Sequence, residues 1–251
     1  MKTTIIKASL AVFILILSVV SKSKAQTYYP VYLCSGGTAT LHTPEEIGLV
    51  SGDKVHWYLE GTEITGSVRT YDGTTANSTN YVTPNNLTPG VHNYTSRIES
   101  VAGCWGDMSD PFQVYQLPDK TLALTANNAS YCGDNATLNS VITATTTPGQ
   151  ALPDGIEYAY VWTATKNGSP VSPLTSIGSD NASSTAVNLF TLTTTGAGSY
   201  VFSATVKYVI AAANTSGVLK SGDNNGCIVS ATATQTVTVT PKPAKPTIIV
   251  Q

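Results

Sequence analysis

Between Tyr200 and Tyr208 every second residue is apolar: Tyr200, Phe202, Ala204, Val206 and Tyr208 fall on one side, Ser203, Thr205 and Lys207 on the other. Successive side chains of a strand point to opposite faces, so this pattern predicts a strand with one buried side and one in water. Val55, Trp57 and Leu59 alternate in the same way with His56, Tyr58 and Glu60, and Thr236 to Thr240 reads as a final strand. Gly, Pro, Asn and Asp separate these segments, and beyond residue 25 no stretch carries apolar residues at helical spacing. Thr, Ser, Asn, Gly and Ala dominate the composition, while the residues of long helices are scarce. The pattern predicts a chain that is nearly all β.

One apolar run does not alternate. Ala8 to Val20 follows Lys2 and Lys7 and is followed by Ser23-Lys24-Ala25. These are the basic start, apolar centre and small-residue exit of a secretory signal. As a helix the run spans roughly 20 Å, short of the ~30 Å hydrocarbon core, so it reads as a signal and not as a permanent anchor. Cleavage after residue 25 makes Gln26 the mature N-terminus. No cysteine follows there, which argues against lipid attachment. The remaining residues suffice for one large domain or two of ordinary size. Charged residues make up 11% of the chain and the net charge is -2, so no field exists to attract nucleic acid or an anionic membrane.

Two series of landmarks choose between one domain and two. Cys34, a strand at 38–41, Trp57, Leu87, Gly90, Tyr94 and Cys104 recur as Cys132, a strand at 136–138, Trp162, Leu192, Gly198, Tyr200 and Cys227. We read a tandem duplication: residues 1–25 the signal, 26–117 and 118–241 the repeats, 242–251 a proline-rich linker. Leu192-x3-Gly196-x-Gly198-x-Tyr200-x-Phe202 resembles the immunoglobulin motif Leu-x3-Asp-x-Gly-x-Tyr-x-Cys, with Gly196 replacing the Asp and Phe202 the second Cys. In the first repeat Ser96 stands at that Cys position. Cys-x-Gly or Cys-Gly before the second strand, with Gly-Cys after the sixth, resembles the Ig-like and PKD-like modules of exported surface and gliding-associated proteins of the Bacteroidetes. The resemblance implies two tandem immunoglobulin-like β-sandwich domains, with Trp57 and Trp162 between the sheets and Tyr94 and Tyr200 pinning a strand corner through backbone hydrogen bonds. In an exported chain four cysteines are expected to be oxidised, and the repeat favours Cys34–Cys104 and Cys132–Cys227. Pairing between the units is the alternative, because positions at opposite ends of a sandwich exceed the ~7 Å Cα limit of a disulfide.

Chemistry is thinly represented. The histidines, His42, His56 and His92, all lie in the first repeat, with His42 and His56 at outward strand positions where solvation is expected. There is no Gly-x-Ser-x-Gly elbow and no Cys-x2-Cys or His-x3-His spacing, and the acids fall in predicted turns. Asp134-Asn135 and Asp223-Asn224-Asn225 could offer oxygens to Ca²⁺ but are also ordinary turn formers. We therefore expect no catalytic residue, metal or cofactor. Trp105, which has no counterpart after Cys227, is the candidate ligand contact, together with the unequal loops 148–155 and 211–226. The expected function is an exported, non-catalytic spacer or adhesion module with a protein or glycan ligand at the cell surface; the alternative is a carbohydrate-binding accessory module. Thr247 to Val250, apolar and β-branched, reads as the start of a third repeat or as a strand for a partner.

Overall fold

The computed structural model describes residues 27–43, 48–74, 76–134, 137–147, 151–220 and 227–247. The signal, Glu45 and Glu46, Asn135, Asp223 to Asn225, and residues 248–251 lie outside them. Among the described residues the first half supplies eight strands: β1 (Val31–Leu33), β2 (Thr40–Leu41), β3 (Lys54–Leu59), β4 (Thr62–Glu63), β5 (Arg69–Thr70), β6 (Tyr81–Val82), β7 (Gly90–Glu99) and β8 (Phe112–Gln116). The second half supplies β9 (Thr121–Ala126), β10 (Ser130–Cys132), β11 (Ser140–Thr147), β12 (Ile156–Lys166), β13 (Ser169–Pro170), β14 (Gly178–Asp180), β15 (Val187–Leu192), β16 (Gly198–Ile210), β17 (Val218–Lys220), β18 (Val229–Ser230) and β19 (Gln235–Thr240). The strand expected at 136–138 forms later, as β11, because Ser140, Ile142, Ala144 and Thr146 make the alternating buried face while Leu138 stays exposed.

The strands form two sandwiches, each with its own buried cluster. In the first, β2 and β6 make a two-stranded sheet over the sheet ordered β17-β1-β8-β7-β3-β4, and Leu33, Leu41, Val55, Trp57, Tyr81, Tyr94 and Val114 fill the space. In the second, the four-stranded sheet β14-β15-β11-β9 covers the sheet β10-β19-β16-β12-β13. Its core joins the ring contacts of Trp162, Phe190 and Phe202 to Tyr158 and Tyr208. Burying side chains of this size stabilises by about 1.5 to 3 kcal/mol each, so the aromatic positions dominate both cores.

The two halves match at Gly90 and Gly198, but the tyrosine landmark is displaced by two residues. Gly90 and Gly198 open β7 and β16 with φ of 132° and 153°, a region that favours glycine. Two residues on, His92 pairs with Val114 as Tyr200 pairs with Val237. The Tyr200 hydroxyl donates to the Gly196 carbonyl at 2.7 Å, and His92 Nε2 donates to the Thr88 carbonyl at 2.8 Å, four residues back in each case. His92 therefore holds the corner expected of Tyr94. Tyr94 stands where Phe202 stands, fully buried, and its hydroxyl has no hydrogen-bond partner among the described residues. Ser96 consequently matches Ala204, not the second immunoglobulin cysteine.

The sheets do not respect the boundary at Leu117. Strand β17, from the long loop of the second half, adds parallel to β1 of the first, with Val31, Tyr32 and Leu33 opposite Val218, Leu219 and Lys220. Tyr32 in turn joins the second core.

Candidate functional site

Two places bring polar and aromatic groups together. One is the outer face of β3 and β7. Pairing of these strands sets Lys54 opposite Glu99 and His56 opposite Arg97. After β7 the chain turns through Gly103, and Trp105 comes back to bridge Glu99, laying its indole over the sheet. The ring centroid is 4.6 Å from that of His56, and the Arg97 guanidinium carbon lies 4.9 Å from it, within cation–π range. Arg97 is fixed there by its Nε donating to the Gly106 carbonyl at 2.8 Å. His56 Nδ1 is 2.8 Å from a Glu63 oxygen, and Nε2 is 3.2 Å from a Glu99 oxygen that Lys54 also contacts at 3.2 Å. Hydrogen bonds from Lys54 and then His56 hold Glu99 below the ordinary carboxylate range.

This face corrects one expectation. His56 points outward but is only 8% exposed, because Trp105 covers it. Trp105 itself remains 45% exposed while contacting His56 and Arg97. Such a ring, bordered by charged hydrogen-bonding groups, can stack an apolar flat surface while its neighbours bind hydroxyls or carboxylates. Lys54, Glu63, Arg97 and Glu99 escaped the sequence reading. Their signal was the period-two spacing of outward polar residues on two segments, informative only once those strands are paired.

The other place is the junction. The structure pairs Cys34 with Cys227, Cα atoms 5.6 Å apart across 193 residues, in place of the expected Cys34–Cys104 and Cys132–Cys227. Cys104 is an exposed free thiol, and Cys132 is free and half-buried, its thiol donating to Asp134. The extra length of residues 211–226 is the reason: it brings β17 against β1, so that the Cys34 amide donates to the Lys220 carbonyl and Cys227 arrives beside Cys34. The Tyr32 hydroxyl donates to the Asp154 carbonyl at 2.6 Å and accepts from the buried Asn214 amide at 3.3 Å. Lys120, packed over the Tyr208 ring and donating to the Cys227 carbonyl, is pulled down by burial to about 8. The loops singled out in the sequence thus supply junction contacts through Asp154 and Asn214.

The remaining candidates do not assemble. His42 is exposed, His92 is occupied with Thr88, and Asp134 pairs with Lys242 at 3.6 Å. Among the described residues no three His, Cys, Asp or Glu side chains converge as a metal would require, and no helix is long and apolar enough to cross a membrane. Trp57, Trp162, Tyr94 and Tyr200 are all buried in the sandwiches, the two indole nitrogens donating to the Thr79 carbonyl and to Asn188 Oδ1.

Among solved structures a marsupial T cell receptor matches 86% of this chain and 73% of its own, at 13% identity and a TM-score of 0.51. The fold is immunoglobulin-like. Invasin, a bacterial integrin-binding protein, matches 84% of this chain and 38% of its own at 16% identity, with a TM-score of 0.28. The titin segment A168169 matches 88% of this chain and 97% of its own at 13% identity, with a TM-score of 0.29. No protein-family model and no curated protein matches the chain. The likeness to the T cell receptor shows the immunoglobulin-like fold alone and leaves function to the residues.

Proposed function

We propose that this chain is an exported, non-catalytic protein of the cell surface, in which two Ig-like units, residues 26–117 and 118–241, serve as a stiff spacer or adhesion module. The observation that carries this reading is the junction. A disulfide, an added strand and the Tyr32, Asp154 and Asn214 network bind the two sandwiches to each other, an investment that suits a protein working under tension or presenting a face at fixed distance. A disulfide also persists in oxidising compartments and is rare in reducing ones, which supports export through the segment 1–25. Pro241 to Pro246, exposed beyond β19, act as the semi-rigid linker. Brief protease treatment of intact cells, followed by mass spectrometry, is expected to release peptides from both units. They should include one starting at Gln26 and one joining Cys34 to Cys227. Recovery only from the cell interior, with Met1 retained and both cysteines open to alkylation, contradicts the proposal.

A second reading, a glycan-binding accessory module, is favoured by the Trp105 face alone. A half-exposed indole between Arg97, His56 and Glu99 is the kind of platform on which a sugar ring stacks. On a glycan array the protein is then expected to bind at micromolar level and to lose that binding in Trp105→Ala, which removes no buried group. Silence across the array disposes of this reading and leaves the first untouched.

A further inference from the structure

The two sandwiches differ in one way that points to a partner. In the second, β9 pairs antiparallel with β11 and closes the gap between that strand and the opposite sheet. Its Leu122 is fully buried, bridges Ala231 and accepts a hydrogen bond from the Thr232 amide. The first sandwich has the same frame. The Ser109 amide donates to the Ser96 carbonyl at 2.9 Å, as the Ala231 amide donates to the Ala204 carbonyl at 2.9 Å, so Ser109 and Ala231 are equivalent. Strand β2, equivalent to β11, pairs only with β6 among the described residues. Where β9 would lie there is an open, mainly apolar groove of about 360 Å³ bordered by Leu41, Trp57, Tyr94, Ser96, Ser109 and Phe112. Two further features mark it as open among the described residues: Phe112, on the inward face opposite Tyr94, is 41% exposed, and the fully buried Tyr94 hydroxyl at the groove has no hydrogen-bond partner among them.

The sequence also carries a second segment of the right kind. Lys120-Thr121-Leu122-Ala123-Leu124, which enters β9, is matched by Pro246-Thr247-Ile248-Ile249-Val250, with Ile248 and Val250 at the places of Leu122 and Leu124. Each segment follows a strand that pairs in its sandwich and then a proline, Pro118 or Pro241. We infer that the open groove beside β2 takes Thr247 to Val250 of a second copy of this chain as an added strand, a case of β-strand addition. A copy's own segment does not reach. Strand β19 ends level with Gly198, the start of β16, whereas the first sandwich joins near the far end, where Ala211 bonds Gly155. The 13 residues of β16 span about 43 Å, while six residues from Pro241 to Pro246 reach at most about 21 Å. Such a contact is head-to-tail and generates rings or filaments.

Sedimentation velocity across a concentration series, on the full chain with its free thiols alkylated, tests this. Self-association is expected, with its loss in Phe112→Asp, which alters an exposed groove residue, and equally in Ile248→Asp. Mixing the two variants should restore a one-to-one dimer and nothing larger, since one keeps a segment and the other a groove. An excess of synthetic Lys245–Gln251 peptide should dissolve the wild-type assemblies without any substitution. A chain that stays monomeric throughout overturns the inference, as does association that survives Ile248→Asp, Phe112→Asp or the peptide.

Discussion

Replacing Trp162 by alanine is expected to destabilise the second sandwich by about 4 to 6 kcal/mol, read as a fall in the urea midpoint at unchanged slope. Two effects add. Removing a buried indole costs about 3 to 5 kcal/mol through lost transfer energy and the cavity left behind. The indole nitrogen also donates to Asn188 Oδ1 at 2.8 Å, and Asn188 is itself buried, so the variant orphans an acceptor at a further cost of about 1 to 3 kcal/mol. Partial collapse of Phe190, whose ring centroid is 5.8 Å away, should recover some of this. Trp162→Phe separates the two effects: it keeps much of the ring and loses the donor, and should cost about 1 to 3 kcal/mol. Since ordinary domains are stable by only about 5 to 15 kcal/mol, the alanine variant should approach unfolding at room temperature. A midpoint that hardly moves in Trp162→Ala would contradict the core role.

The core was legible in the sequence because period-two alternation decides which face of a strand is buried. The same alternation does not decide register in steps of two, since a slip of two residues keeps every side chain on its face. Tyr94 and His92 both point inward from β7, and nothing in the pattern says which of them matches Tyr200. The backbone does, through Gly90 and Gly198, and it gives the corner to His92. The Trp105 face was legible only at Trp105. Burial of His56 and the convergence of Lys54, Arg97 and Glu99 depend on which strand lies beside which, a long-range fact that local sequence does not carry. The cysteines show the same limit: the repeat suggested bridges within units, whereas the reach of an ordinary disulfide already argued for a crossing pair.

The crossing pair supports the other large prediction. Replacing Cys34 and Cys227 together by serine removes a bridge that closes 193 residues, a loop for which chain entropy alone gives about 5 kcal/mol. Measured bridges usually deliver about 2 to 4 kcal/mol, so a loss of that size is expected in chemical unfolding. Both cysteines must go, because a single substitution leaves a thiol that air oxidation can join to the exposed Cys104. The location of the bridge decides what else changes. It joins the sandwiches with Cys34 buried and Cys227 packed against the second core, but neither residue lies within a strand, so far-UV circular dichroism of the folded variant should match the parent. What remains at the junction is the three-residue pairing of β17 with β1, the Tyr32 network and the packing of Tyr32, Tyr115 and Leu219 on the second core, with no covalent tie. Solution scattering should therefore show a larger radius of gyration and a broader distribution of distances as the two sandwiches sample several orientations. Unchanged scattering would mean that the added strand and the Tyr32 network fix the geometry unaided, and that the disulfide contributes stability alone. Loss of β-structure in the folded variant would mean instead that the bridge is needed to form the sandwiches themselves, against the reading of two cores that are joined but separately built.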